Sequence, residues 1–114
     1  MSFEPETIRR KIAANPLLAG VDASKVRPRI LTLTQSTYDG VLYNTETIKS
    51  LLDGRIDTLH FDEAWLPHAA FHSYYSDMHA IGGRSARPRN RASMIFSTQS
   101  THKMLAGLSQ ASQI

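Results

Sequence analysis

Apolar residues fall in short runs separated by turn-forming residues, and the spacing inside each run predicts its element. Ile8 and Ile12 stand four apart in Glu6-Thr-Ile-Arg-Arg-Lys-Ile-Ala-Ala14, with charges between them, which predicts a short amphipathic helix. Asn15-Pro16 stops it, because a residue before proline is pushed out of helical geometry. Arg29-Ile-Leu-Thr-Leu-Thr34 is rich in β-branched and apolar residues and predicts a strand. It runs into Gln35-Ser-Thr-Tyr-Asp-Gly40, whose Asp-Gly supplies turn chemistry. Asn44 or Thr45 can cap a second helix that places Ile48, Leu51 and Leu52 on one face and ends at Gly54. Asp57 through Phe61 predicts a second strand and Ser93-Met-Ile-Phe-Ser97 a third. A last helix is expected from about Lys103, carrying Met104, Leu105 and Leu108.

Strands separated by helices imply an α/β fold with right-handed crossovers and a parallel sheet. Such a sheet needs helices on both faces, and three helices for three strands are few. The chain, residues 1–114, therefore reads as one partial domain, a piece of something larger. In parallel sheets ligands gather outside the carboxyl ends of the strands. Three polar segments are expected there: Ser36 to Gly40, Asp62 to Trp65, and Ser100 to Lys103.

Composition narrows the classes. No apolar stretch approaches the ~18 residues needed to span a bilayer, so no membrane partner is expected. The acidic N-terminus, Met1-Ser-Phe-Glu-Pro-Glu-Thr7, lacks the layout of a signal peptide. The absence of cysteine excludes disulfides and thiolate metal sites and fits a cytoplasmic setting. The net charge of +3 is local: without Arg84, Arg87, Arg89 and Arg91, nine basic residues face ten acidic ones. That arginine segment has no interleaved aromatics for stacking on bases, so a solvated loop is favoured and no nucleic-acid partner is expected.

Two residues carry the chemistry. Lys103 closes Phe96-Ser-Thr-Gln-Ser-Thr-His-Lys103, and Asp62 ends the apolar part of Thr58-Leu-His-Phe-Asp-Glu-Ala-Trp65. A lysine and an aspartate at the mouths of two strands suit pyridoxal phosphate. That coenzyme needs an amine to bind its aldehyde, an anion to keep its ring nitrogen protonated, and donors for its phosphate. Lys103 can supply the first and Asp62 the second. Ser100 and His102, just before an expected helix start, suit the phosphate. Trp65 can reach the ring's phenolic oxygen with its indole N–H, while Ala64 lies against the ring face.

These blocks also resemble a known family. Ser36-Thr-Tyr-Asp-Gly40 with Tyr43-Asn44, His60-Phe-Asp-Glu-Ala-Trp65, and Thr98-Gln-Ser-Thr-His-Lys103 with Ser109-Gln-Ala-Ser112 are similar to the fold-type I biodegradative decarboxylases of ornithine, lysine and arginine. The resemblance is strong from Ile30 to Ile114. It implies the parallel-sheet part of an aspartate-aminotransferase-like large domain that binds pyridoxal phosphate, truncated on both sides. It implies Lys103 as the lysine that binds the coenzyme and Asp62 as partner of the ring nitrogen. Ser100 and His102 become phosphate contacts and Trp65 the contact to the phenolic oxygen. The implied reaction is loss of CO₂ from a basic amino acid to give a polyamine, in a dimer-based enzyme.

Other readings stand beside this one. A non-catalytic remnant or interaction module of the same fold is one, and another pyridoxal-phosphate enzyme such as an aminotransferase is a second. Asp62 can simply cap a turn. His60, in mid-strand, reads as a core histidine with a hydrogen-bond partner. His68, His72 and His79 have a tempting spacing, but Pro67 and Ser73-Tyr-Tyr-Ser76 argue against a regular helix, so no metal site is expected. Tyr38 and Asp39 read as turn residues, Ser36 and Thr37 as lining of a coenzyme pocket. Phe61, Phe71, Tyr74 and Tyr75 read as core or interface packing. Glu63 follows Asp62, should point to the other face, and receives no catalytic role.

Overall fold

The computed structural model describes residues 4–26, 28–80, 92–105, 107 and 112–114. The arginine segment from Arg84 to Arg91 lies outside them. Helix α1 spans Pro5–Ala13, with Pro5 in its first turn, where a missing N–H costs nothing. Past its end, the Asn15 side chain accepts the Leu17 N–H and opens a tight turn at Pro16–Leu18, so Asn15-Pro16 is the expected stop. Strands β1 (Ile30–Thr34), β2 (Thr58–Asp62) and β3 (Met94–Ser100) form a parallel sheet in chain order, and a short β4 (Ser112–Gln113) runs antiparallel along β3. Helix α2 (Thr45–Leu52) makes the crossover from β1 to β2.

The sheet has one covered and one open face. Leu59 and Phe61 of β2 are fully buried and cluster with Ile48 and Leu52 of α2 and with Ile56. Leu31, Leu33 and Ile95 from the strands and Ile8 from α1 pack against that cluster. The pleat sends the alternate residues the other way. There Ile30, Met94 and Phe96 remain 66%, 59% and 41% exposed.

Asn44 caps α2, its side chain accepting the Thr47 N–H at 2.8 Å. The buried face of α2 is Thr45, Ile48, Lys49 and Leu52, whereas Leu51 lies on the exposed side. Leu51 was expected on the core face. At about 100° per residue Thr45, Ile48, Lys49 and Leu52 fall within one arc of about 100°, and Leu51 lies about 60° outside it. The Lys49 Nζ is satisfied by Glu46 and, at 3.0 Å, by the Ala80 carbonyl.

Strand β3 runs three residues past the expected Ser97. Its polar half, Thr98-Gln-Ser100, stays in the sheet because the Thr98 carbonyl accepts the Glu63 N–H at 2.9 Å and because Gln99 and Ser100 pair with β4. The helix expected from Lys103 is absent among the described residues. Residues 101–103 form a turn, Met104 and Leu105 a bend, and the chain returns as β4. The Gly107 N–H folds back onto the Thr101 carbonyl at 3.1 Å, so close that a side chain at Gly107 would meet that oxygen at 2.9 Å. Leu108 lies outside the described residues, and at Met104 and Leu105 this closure overrides an apolar spacing that suits a helix. With it goes the helix N-terminus invoked for Ser100 and His102.

Candidate functional site

The carboxyl edge of the sheet is assembled from the loops that follow its three parallel strands. After β1 the chain makes a hairpin in which Ser36 bridges Leu42, and Gly40 takes a positive φ of 87° to close it. Ser36 is buried, and its Oγ has no hydrogen-bond partner among the described residues. After β2, Asp62 is half-buried, and its Oδ1 accepts the Ala64 N–H at 3.0 Å. The turn-capping role is therefore real, and it also fixes how the carboxylate is held. Trp65, half-buried, packs edge-on against Tyr38 with ring centroids 4.6 Å apart, joining the first loop to the second. At the end of β3 Ser100 is buried, while His102 and Lys103 stand exposed in the turn that follows.

Register places these residues relative to one another. Asp62 pairs with Thr98 across the parallel ladder, so Ser100 lies two residues farther along the neighbouring strand and Lys103 begins the return. Asp62, Thr98 and Ser100 share the open face. Asp62, Ala64, Trp65, Ser100, His102 and Lys103 are thus gathered on one edge. No hydrogen bond or ion pair joins Asp62 to Lys103 among the described residues.

His60 sits on the same face one pleat below Asp62. Its Nε2 lies 2.6 Å from the Thr98 Oγ1 and its Nδ1 3.3 Å from the Thr32 Oγ1, so one ring spans three strands. It has the partners expected of it, on the open face and not in the core. Among the remaining histidines, His72 accepts the Tyr74 N–H at 3.1 Å and His79 is buried under the sheet edge. No group of three His, Cys, Asp or Glu placed to hold a metal ion occurs among the described residues. Phe71 and Tyr74 are 85% and 72% exposed and so are not core, while Phe61 is core.

The largest surprise is Glu63. It faces the core side, as the pleat requires, and its exposure is 0%. Its Oε1 accepts the Ala80 N–H at 2.5 Å, and its Oε2 accepts from the Ser97 hydroxyl at 2.5 Å and the Gln99 Nε2 at 3.2 Å. The buried His79 ring faces Oε2 with Nδ1 3.8 Å away. Burial pushes the Glu63 carboxyl up, but His79, Ser97, the Ala80 N–H and Gln99 together hold it below its ordinary value. Residues 77–80 are gripped by three more polar side chains. Thr45 donates to the Asp77 carbonyl at 3.0 Å, Gln35 to the Met78 carbonyl at 2.5 Å, and Lys49 to the Ala80 carbonyl.

Sequence reasoning passed over this set, although one signal was present. The alternation that buries Leu59 and Phe61 puts Glu63 at the next core-facing position, and a carboxylate there demands partners. A cleft of about 590 Å³ lies elsewhere, at the amino ends of the strands between α1 and the α2–β2 connection. None of the candidate residues lines it.

A family model described as Orn/Lys/Arg decarboxylase, major domain, matches residues 1–114, the whole chain. The chain belongs to the Orn/Lys/Arg decarboxylase family. It is 43% identical over 112 residues to a lysine decarboxylase of Pseudomonas aeruginosa and 41% identical over 112 residues to the biodegradative arginine decarboxylase of Escherichia coli. Each alignment covers 98% of this chain and 14% of the relative. Among solved structures, lysine decarboxylase A from Pseudomonas aeruginosa superposes with a TM-score of 0.76 at 44% identity, over 96% of this chain and 14% of that one. The chain thus spans about one seventh of the length of the decarboxylases it matches. No helix among its described residues is long and apolar enough to cross a membrane.

Proposed function

We propose that this decarboxylase-family chain carries the coenzyme-holding edge of a pyridoxal-phosphate-dependent enzyme that removes CO₂ from a basic amino acid. The observation that carries it is the gathering of Asp62, Ser100 and Lys103 at the carboxyl ends of two adjacent parallel strands, in the register Asp62 to Thr98. The donor set fits the group. There is a carboxylate for a protonated ring nitrogen, an exposed amine, the buried hydroxyl of Ser100, and at Ser36 a second buried hydroxyl whose Oγ has no partner among the described residues. When bound, the coenzyme supplies an aldehyde for amines and a ring that takes up the electron pair left as CO₂ departs.

The residues then divide the work. Lys103, solvent-exposed on a short turn, would hold the coenzyme through its Nζ. Asp62, turned by the Ala64 N–H, keeps a proton on the ring nitrogen through its carboxylate. Ser36, Ser100 and His102 hold the phosphate with hydroxyl and imidazole donors, without a helix terminus. Trp65, steadied against Tyr38, would offer its indole N–H to the phenolic oxygen, and Ala64 would lie against the ring. The substrate is a basic amino acid of the lysine, ornithine or arginine kind, in a cytoplasmic, dimer-based enzyme whose further segments complete the pocket.

The test is CO₂ release from lysine, ornithine and arginine with pyridoxal phosphate added, together with the visible absorbance of bound coenzyme. Coenzyme binding that is lost in Lys103→Ala, with CO₂ released from one of the three, supports the proposal. No coenzyme uptake by the wild type rejects it. A second reading, a module that keeps the fold without turnover, is favoured by the open sheet face. Coenzyme uptake without CO₂ from any of the three would support it.

A further inference from the structure

Glu63 joins, from the core face, the two strands that carry the candidate site. Its backbone N–H binds the Thr98 carbonyl, and its carboxylate binds Ser97 and Gln99, the two residues that flank Thr98 on the core face of β3. The same carboxylate holds the Ala80 N–H, the end of the segment also gripped by Thr45, Gln35 and Lys49. One residue earlier in the chain is Asp62, and three residues past Ser97 is Ser100, which opens the turn to Lys103. The spacing between the carboxylate on β2 and the amine after β3 therefore passes through Glu63.

We propose that Glu63 is a positioning residue that fixes the distance and facing of Asp62 relative to the Ser100–Lys103 turn by clamping the carboxyl ends of β2 and β3 and residues 77–80 together. This rests on the reading of Asp62 and Lys103 as the coenzyme's partners. Ser97 donates to Glu63 and not to His79, so the buried trio is not arranged to activate a nucleophile; it is arranged to hold an acceptor among donors. Glutamine keeps one acceptor for the Ala80 N–H but turns the other oxygen into a donor, so the Ser97 hydroxyl and the Gln99 amide would have to reverse their roles to keep their bonds.

The experiment is a double-mutant cycle on coenzyme affinity, comparing the wild type, Asp62→Asn, Glu63→Gln and the double variant, with folding checked by circular dichroism. If Glu63 positions Asp62, the loss caused by Asp62→Asn shrinks by about fivefold or more in the Glu63→Gln background. Equal losses in both backgrounds would overturn the proposal and leave Glu63 a support of the fold. Amide hydrogen exchange separates this from failure of the site reading. Faster exchange in Glu63→Gln confined to residues 77–80 and 97–103 supports the clamp, whether or not coenzyme binds. Unchanged exchange there, or acceleration throughout the chain, refutes it.

Discussion

On one side of the sheet Leu59 and Phe61 are sealed against Ile48 and Leu52, while one step along the same strand His60 and Asp62 stand half-exposed beside Ile30, Met94 and Phe96. The covered face is held by apolar contact and, at its carboxyl end, by buried hydrogen bonds to Glu63. On the open face His60 bonds to two threonines and Asp62 to its own turn. Consecutive residues thus take opposite roles. Stability is concentrated on the face turned from solvent, which leaves the other free to carry chemistry without costing the fold.

Breaking the covered face should have the largest effect. Phe61→Ala removes the largest fully buried side chain and is expected to cost about 3–5 kcal/mol in denaturant unfolding. Glu63→Ala follows, because it strands the Ala80 N–H and the Ser97 hydroxyl. A loss of about 1–3 kcal/mol is expected, whereas Asp62→Ala, half-exposed, should cost less stability yet abolish coenzyme binding. An equal stability loss from both would erase the distinction between the faces.

The Glu63 carboxyl lies below its ordinary value of 4.5 in the fold, so its contribution is fully present above that pH and is lost as pH falls through the lower native value. The gap in Tm between the wild type and Glu63→Gln should therefore narrow on acidification below about pH 4.5. A gap that widened would contradict the sign. Asn44→Ala, which uncaps α2, should cost about 1 kcal/mol by thermal unfolding and leave coenzyme binding alone. Ile30→Thr on the open face should change stability by no more than about 0.5 kcal/mol. A cost near that of Phe61→Ala would mean that this face is covered in solution.

The parts of this architecture legible from sequence were those written in local spacing. Ile8 and Ile12 marked α1, Asn15-Pro16 its end, Asn44 or Thr45 the cap of α2, and the apolar run from Asp57 through Phe61 marked β2 with Asp62 at its mouth. What escaped depended on distant partners. Lys49 is buried because Ala80, 31 residues on, offers a carbonyl. The polar end of β3 is a strand because Glu63 and β4 bind it, and Gly107 bends the chain where a periodic apolar run promised a helix. The edge residues themselves were found by residue type and by resemblance to the decarboxylases. Their gathering on one edge followed from the strand order.

The central claim is that Lys103 and the open edge beside Asp62 take the coenzyme. The direct measurement is borohydride reduction of the chain mixed with pyridoxal phosphate, followed by peptide mass spectrometry. One adduct on the peptide that contains Lys103, diminished in Asp62→Asn, is the predicted result. Adducts spread over surface lysines such as Lys11 and Lys25, or none on Lys103, would contradict it.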